Sequence, residues 1–574
     1  MKLLKYLKPY WLWVILSPLT MIGEVLADLW QPKLMSTLIN EGVLNNDQEL
    51  LVAVGLRMLL VVLLGGLSGA LCSVFASLAS QSFACDLRKD VFKSAMGLSF
   101  QQTDKFTTGS LITRLTNDIT QMQHFVEQCI RMFVRSGFMF VGGIIMMLSL
   151  DLKFGLILLC SLPLQLIAMA LVLKASNPLY AKVQQRLDTV NNVMQENVNG
   201  ARMVKAYVQE DREIARFNDA NEGLTETNLK VAFIIARLSP VLSIVMNLSV
   251  VAILYLGGLQ DSAAAMQVGT IMAAIDYNNR ILHSVMMVSM MFQSIARGRA
   301  SGKRLTEVLN TVPVIRGGDH APKTLGEISF DQVAFHYPGF PGRPVLKDLS
   351  LTVKPGENLA ILGATGSGKS SLIHLITRFY DTTEGSITIG GTPIQEFDLT
   401  ALREHIAVVL QKSELFSGTV AENIRWGCPD ATDEEVIRAA TIAQAAEFID
   451  KMPEGYDSVI AEKGASLSGG QKQRLSIARA LVRKPELLIF DDSTSALDLT
   501  TEGKLRRAIR EEMKGTTLIT VAQRIASVKD CDRIAVLEDG TLAAIGTHEE
   551  LLKTSTVYQE IYRSQTKEGG VIDG

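Results

Sequence analysis

The sequence predicts an all-α polytopic membrane domain, six transmembrane helices with long cytosolic extensions, followed by an α/β P-loop domain. Three observations carry this. Apolar runs of bilayer-spanning length crowd the first half of the 574 residues, and a glycine-rich loop stands in the second half. Between them the pattern changes from long apolar runs to short β-branched segments alternating with helical ones. Composition agrees: 48% of residues are hydrophobic and the mean hydropathy is +0.22, too apolar for an ordinary soluble enzyme.

A run of about 20 apolar residues crosses a bilayer. Six such runs fall at Trp11–Trp30, Leu50–Ser80, Val134–Leu150, Phe154–Leu173, Ile234–Leu256 and Ile271–Ile295. The first is no removable signal peptide: it is long, it carries Glu24 and Asp28, and no small-residue cleavage site follows it. Lys2, Lys5 and Lys8 precede it and Trp11 and Trp13 sit at its edge. That charge asymmetry places the N-terminus in the cytosol, and an even number of spans returns the chain there.

The second and third spans are joined by "RKDVFKSAMGLSFQQTDKFTTGSLITRLTNDITQMQ", the fourth and fifth by "ASNPLYAKVQQRLDTVNNVMQENVNGARMVKAYVQEDREIARFNDANEG". Both are too long and too periodic for turns, so the helices are expected to continue as rods into the cytosol and dock there. The other connections, such as "LDLKF" and "GGLQDSAAAMQ", are short. The membrane domain is expected over 1–305 and a linker rich in Pro, Gly and charge over 306–326. The soluble domain follows over 327–566, with a short tail at 567–574. In the soluble part "ISFDQVAFHY", "LSLTVKPG" and "NLAILG" read as strands.

A net charge of -3 argues against a nucleic-acid partner. The six cysteines are scattered without CxxC spacing, which predicts reduced thiols rather than a disulfide framework or zinc site.

"GATGSGKS" matches G-x-x-x-x-G-K-[ST], between a strand and the helical "SLIHLITRFY", the context the motif requires. Gly363, Ala364, Thr365, Gly366, Ser367 and Gly368 turn backbone N–H groups toward phosphates, and the helix N-terminus adds positive potential at Ser371. Lys369 is positioned for the β/γ oxygens of ATP and the Ser370 hydroxyl for Mg²⁺. "LLIF" followed by Asp491 fits a Walker B strand with its acid near the metal. About 20 residues upstream lies "LSGGQ", Leu467, Ser468, Gly469, Gly470 and Gln471.

Taken in order, "GATGSGKS", "LQKSELFSGTVAENI", "LSGGQKQRLSIARAL" and "LLIFDDSTSALD" resemble the ATP-binding cassette (ABC) transporters. Within these, the chain resembles the exporters that fuse six spans to one ABC ATPase domain, over nearly its whole length. The resemblance implies roles at matching positions. Tyr337 would stack on adenine. Gln411 would touch Mg²⁺ and face the membrane domain. Ser468, Gly469 and Gly470 would contact the γ-phosphate of ATP held by the opposite cassette, with Asp498 as the D-loop acid at that interface. "VIAEKG" around Glu462 would sense the intracellular helices. "TDKFTTGSLITRL" and "VKAYVQEDREI" would hold the coupling helices.

Two positions depart from the family pattern. Where the family has Glu to polarise the attacking water, this chain has Asp492. Its carboxylate is withdrawn by roughly 1.3–1.5 Å, and a misplacement of about 1 Å can cost on the order of 100-fold in rate. Where the family has the switch His, "TLITVAQRIASV" has Gln523, and none of the seven histidines falls in this motif. Gln can bond to phosphate but cannot carry a proton as imidazole does. The pair of departures beside an intact "LSGGQ" resembles the degenerate-site subunit of heterodimeric bacterial multidrug exporters. The partner implied is a second half-transporter with Glu and His at those positions, in the bacterial plasma membrane with both cassettes cytoplasmic.

Cargo is less legible. Glu24, Asp28 and Asp276 lie within apolar runs and Met286, Met287, Met290 and Met291 crowd the last one. Intramembrane acids face a cavity or a partner, and methionines suit varied apolar ligands. The expectation is an amphiphilic compound; the acids either attract it when cationic or serve as structural hydrogen-bonding groups, and the methionines either contact it or pack helices. Lipid or peptide export, or an ATP-gated channel-like role, are the alternatives.

Overall fold

The computed structural model describes residues 2–258, 268–339, 342, 344–461, 464, 466–494 and 496–568. Glu462, most of "GGLQDSAAAMQ" and the side chain of Met290 lie outside the described residues. The chain divides into two compact units: Met1–Met96 with Gly109–Thr311, and Gly97–Thr108 with Val312–Gly574.

The first unit is helical. Among the described residues, five segments are long and apolar enough to cross a membrane: Leu3–Val43, Gln48–Met96, Thr108–Leu150, Leu152–Asn199 and Glu210–Gly257. They contain the first five expected runs in order. The sixth run lies in the helix Val268–Asn310, which carries Asp276, Arg280 and His283 within its apolar stretch and is not one of those five. Gln48–Met96 has 49 residues and Leu152–Asn199 has 48. At about 1.5 Å per residue each is roughly 70 Å long, far beyond the ~30 Å hydrocarbon thickness, as expected for rods that leave the bilayer.

Met21, Val25, Cys72, Met147, Phe154, Ile253, Tyr277 and Ile281 form the buried core of this unit. Small residues let its helices approach: Gly143 faces Ile281, and a Cβ at Gly69 would lie 2.6 Å from the Glu24 carboxylate. The last helix runs to Asn310, five residues beyond the boundary expected at 305. The reason is packing, since Leu305 and Val308 are fully buried and hold the helix in register.

The second unit is built on strands β1 (Ile328–Phe335), β2 (Leu346–Val353), β3 (Asn358–Gly363), β4 (Glu384–Ile389), β5 (Thr392–Pro393) and β6 (Ile406–Val409). They are followed by β7 (Gly418–Thr419), β8 (Val459–Ile460), β9 (Leu487–Asp491), β10 (Thr517–Ala522), β11 (Arg533–Glu538) and β12 (Thr541–Gly546). The central sheet runs β12-β11-β3-β10-β9-β6, parallel except for the β11/β12 pair. A second, antiparallel sheet runs β2-β1-β4-β5. Parallel strands buried on both faces read as continuous apolar runs: all five residues of β9 are buried. This topology brings Gly363, at the end of β3, and Asp491, at the end of β9, to the same edge of the sheet, where α/β folds bind ligands.

Candidate functional site

At Gly366 and Gly368 the loop after β3 adopts φ values of 88° and 98°, a left-handed backbone that favours glycine. A Cβ at Gly366 would meet nothing within 4 Å, so the crown of the loop is open. Lys369, at the start of the helix Lys369–Ile376, is buried. Its Nζ donates to the carbonyls of Gly363 (2.8 Å) and Ala364 (2.7 Å). Burial pushes this ammonium below the usual lysine range, against the pull of Asp492 and Asp491. A polyanion at the loop would relieve that desolvation.

Ser370 Oγ donates to Asp491 Oδ1 at 3.0 Å. Burial raises the Asp491 carboxyl above its ordinary range, a direction that the Ser370 bond and the neighbouring charges of His374 and Lys369 oppose. A hydroxyl and a carboxylate brought together on a buried floor are the oxygen donors a hard divalent cation takes. The residues present therefore fit Mg²⁺ with ATP.

Asp492, Gln411 and Gln523 converge. Gln523 Nε2 donates to Asp492 Oδ2 at 3.0 Å and Gln411 Nε2 to the same oxygen at 3.3 Å. Burial holds the Asp492 carboxyl above its ordinary range, and the charges of Lys369 and Arg524 and the two amides oppose this.

Tyr337 is half-buried. Its hydroxyl lies 3.1 Å from Ser371 Oγ and 3.2 Å from His374 Nδ1, and its ring meets Phe335 and Tyr380 edge to face. Ser468 caps the helix Gly469–Leu481 in a reciprocal capping box with Gln471, which leaves the signature residues at a helix N-terminus. A Cβ at Gly469 would meet nothing within 4 Å, and one at Gly470 would sit 3.3 Å from the carbonyl of Ala496. Leu467 packs against the helical core of this unit. Asp498 caps the helix Leu499–Glu512 by accepting from Thr501 N at 3.0 Å.

The short helix Phe100–Phe106 belongs to this second unit. It begins before the "TDKFTTGSLITRL" stretch expected to dock, because Ser99 and Gln102 form a capping box that starts it. Phe100 stacks on Phe379 with ring centroids 4.3 Å apart, and Tyr380 Oη donates to Asp104 at 2.8 Å. Phe379, Tyr380, His374 and Asp104 were not singled out from sequence. Their signal was the aromatic pair in "RFYD" directly after the P-loop helix.

In the membrane domain the three acids have partners. Arg135 pairs with Glu24 and, at 2.8 Å, with Asp28. Arg280 pairs with Asp276 at 2.8 Å and lies 3.8 Å from Asp28. The three acids are thus paired, as the structural alternative has it, with two arginines that also sit within apolar runs. Met286 is exposed and lines a cavity of about 720 Å³ with Arg280 and His283.

Two family descriptions match the sequence: ABC transporter transmembrane region over residues 13–285, and ABC transporter over residues 346–495. An uncharacterized ABC transporter ATP-binding protein of Bacillus subtilis, YfiB, is 41% identical over 565 residues, 98% of each chain. The ATP-dependent lipid A-core flippase of Chromobacterium violaceum is 34% identical, over 99% of this chain and 97% of its own. The structure of a bacterial Atm1-family ABC exporter with ATP bound superposes with a TM-score of 0.79 at 27% identity, covering 98% of both chains. These likenesses cover both units. The chain belongs to the ABC transporters, as an exporter half-transporter in which a helical membrane domain is fused to an ABC ATPase domain.

Proposed function

We propose that this chain is one subunit of a heterodimeric, ATP-driven exporter that moves amphiphilic compounds out of the cytoplasm. Its own ATP site is slow, and its signature motif completes the partner's. In this reading the helix Val268–Asn310 is a sixth span, which returns the chain to the cytosolic side of the cell membrane ahead of the ATPase domain. The observation that carries this reading is the Asp492 carboxylate held by the amides of Gln523 and Gln411.

Lys369 and the loop Gly363–Gly368 hold the phosphates of ATP, and Tyr337 flanks the base. Ser370, Asp491 and Gln411 would supply oxygens to Mg²⁺, which would offset phosphate charge. Hydrolysis needs a base that reaches a water beyond the γ-phosphate. Asp492 is one methylene short of that water. Gln523 donates to the Asp492 carboxylate through its side-chain amide and cannot shuttle a proton. ATP therefore binds here and persists. Across the dimer, Ser468, Gly469 and Gly470 present a helix N-terminus to the partner's γ-phosphate. The name of the flippase relative favours a lipid cargo as the second reading.

The test is the steady-state ATPase of a verified homodimer against that of the chain assembled with a half-transporter carrying the Glu and His. The homodimer should bind ATP and turn over very slowly, and the mixed assembly should be active. A homodimer as active as the mixed assembly overturns the proposal.

A further inference from the structure

Two cavities of the membrane domain share Arg280 and His283. One, of about 720 Å³, is mainly apolar, with Met169, Leu238, Leu242, Met246 and Met286 among its lining. The other, of about 390 Å³, is lined by Arg131, Arg135, Arg280 and His283, with methionines beside them and no carboxylate in its wall. A water molecule occupies about 30 Å³, so the second cavity has room for a charged head with its hydration.

The arginines of this wall are not equivalent. Arg135 and Arg280 are accounted for by Glu24, Asp28 and Asp276, pairs that tie three helices together. The Arg131 guanidinium makes no ion pair or hydrogen bond among the described residues. It lies one helical turn from Arg135, on the same face. Helix packing explains the paired arginines and leaves Arg131 unexplained. Arg131 stands three residues before the apolar run that begins at Val134, where the end of a span admits charge, and it lines this cavity. Guanidinium forks fit phosphate and carboxylate, often bidentately.

We infer that the cargo is an amphiphile with an anionic phosphate or carboxylate head, taken by Arg131 with the remaining N–H groups of Arg135 and Arg280, and a hydrocarbon body in the methionine-rich cavity. This rests on the exporter reading above and gives the cargo head the sign opposite to the one those acids could attract, because the three carboxylates are engaged by Arg135 and Arg280 and none of them lines this cavity.

The test uses the full-length chain in phosphatidylcholine nanodiscs without ATP. Two dansyl probes share one alkyl chain, one ending in carboxylate and the other in trimethylammonium. The carboxylate should bind more tightly. Arg131→Gln should weaken it about tenfold, the scale of one charge-assisted hydrogen bond, and leave the ammonium probe unmoved. Arg131→Lys should retain most of the affinity. Equal or tighter binding of the ammonium probe, or a carboxylate affinity unchanged by Arg131→Gln, overturns the inference. On the unmutated protein, a diazirine at the probe's tail should label Met246 or Met286; labelling confined elsewhere overturns it too, whether or not the variant folds. Added phosphatidylglycerol separates the sources. Displacement of the carboxylate probe makes a bilayer lipid the ligand, whereas retention makes it a water-borne amphiphile, and both support an anionic head. No partner or hydrolysis is needed, so failure here leaves the exporter reading standing. Conversely, bound probe without ATP-driven transport by the mixed assembly sinks that reading alone.

Discussion

Gln523 Nε2 lies 3.0 Å from Asp492 Oδ2, the oxygen that Gln411 Nε2 also approaches at 3.3 Å. In the proposed assignment, the residue at the switch-histidine position thus holds the residue at the catalytic-glutamate position. Asp492 takes a left-handed backbone, φ 47°, and its N–H bonds to the carbonyl of Val521 at 3.1 Å. Backbone and side chain are both anchored. The short acid has little freedom to reach outward and make up the missing methylene.

Asp491→Asn separates stability from function. The folded carboxyl is raised by burial, so the nucleotide-free protein binds this proton more tightly than the unfolded chain does. Stability from this group is therefore complete at low pH and declines as pH rises from the unfolded pKa through the folded one. At neutral pH the ionised acid is a net cost. Thermal unfolding without nucleotide should show the Asn variant more stable than wild type at pH 7, with the gap closing toward pH 4, while Mg²⁺-dependent ATP retention falls. A variant less stable than wild type at pH 7 would contradict the sign.

Ser468→Arg should abolish most ATPase activity of the mixed assembly, because it sets bulk and charge at the helix N-terminus that faces the partner's phosphate. Loss of the cap alone costs about 1 kcal/mol. Ser468→Ala loses that cap without adding bulk, so it should lower the unfolding temperature similarly and spare far more activity. Equal activities for the two variants would assign the whole effect to the cap.

The Tyr380–Asp104 bond fastens the helix Phe100–Phe106. Burial and Asp104 hold the phenol above its ordinary range, so the bond persists across physiological pH. A hydrogen bond to a charged group contributes about 1.5–3 kcal/mol. Hydrogen exchange in Phe100–Phe106 should rise on Tyr380→Phe and on Asp104→Ala, and no further in the double variant. Additive increases would show that the two residues act separately.

The nucleotide motifs were legible because their chemistry is local. Glycines at positive φ, a lysine and a hydroxyl must lie within eight residues, and the sequence prints them together. The first five span positions were legible from apolar runs alone. The pairing of Glu24 and Asp28 with Arg135 was not, since it joins residues more than a hundred positions apart. Arg135 and Arg280 both fall inside apolar runs, and two cations beside three acids within such runs were the available signal. The start of the docking helix was missed because Ser99 and Gln102 form its cap ahead of the polar stretch that drew attention. The linker boundary was missed because Leu305 and Val308 continue a buried helical face under a charged sequence.

The claim that this chain's own site keeps its ATP is tested most directly by the nucleotide retained in the mixed assembly after many turnovers, counted together with transport. Wild type should retain ATP at the site formed by Lys369 and Asp491. Asp492→Glu with Gln523→His supplies the longer carboxylate and the imidazole, and should convert that ATP to ADP faster while more ATP is hydrolysed per cargo moved. Retained ADP in wild type, or identical occupancy and coupling in the double variant, would contradict the account.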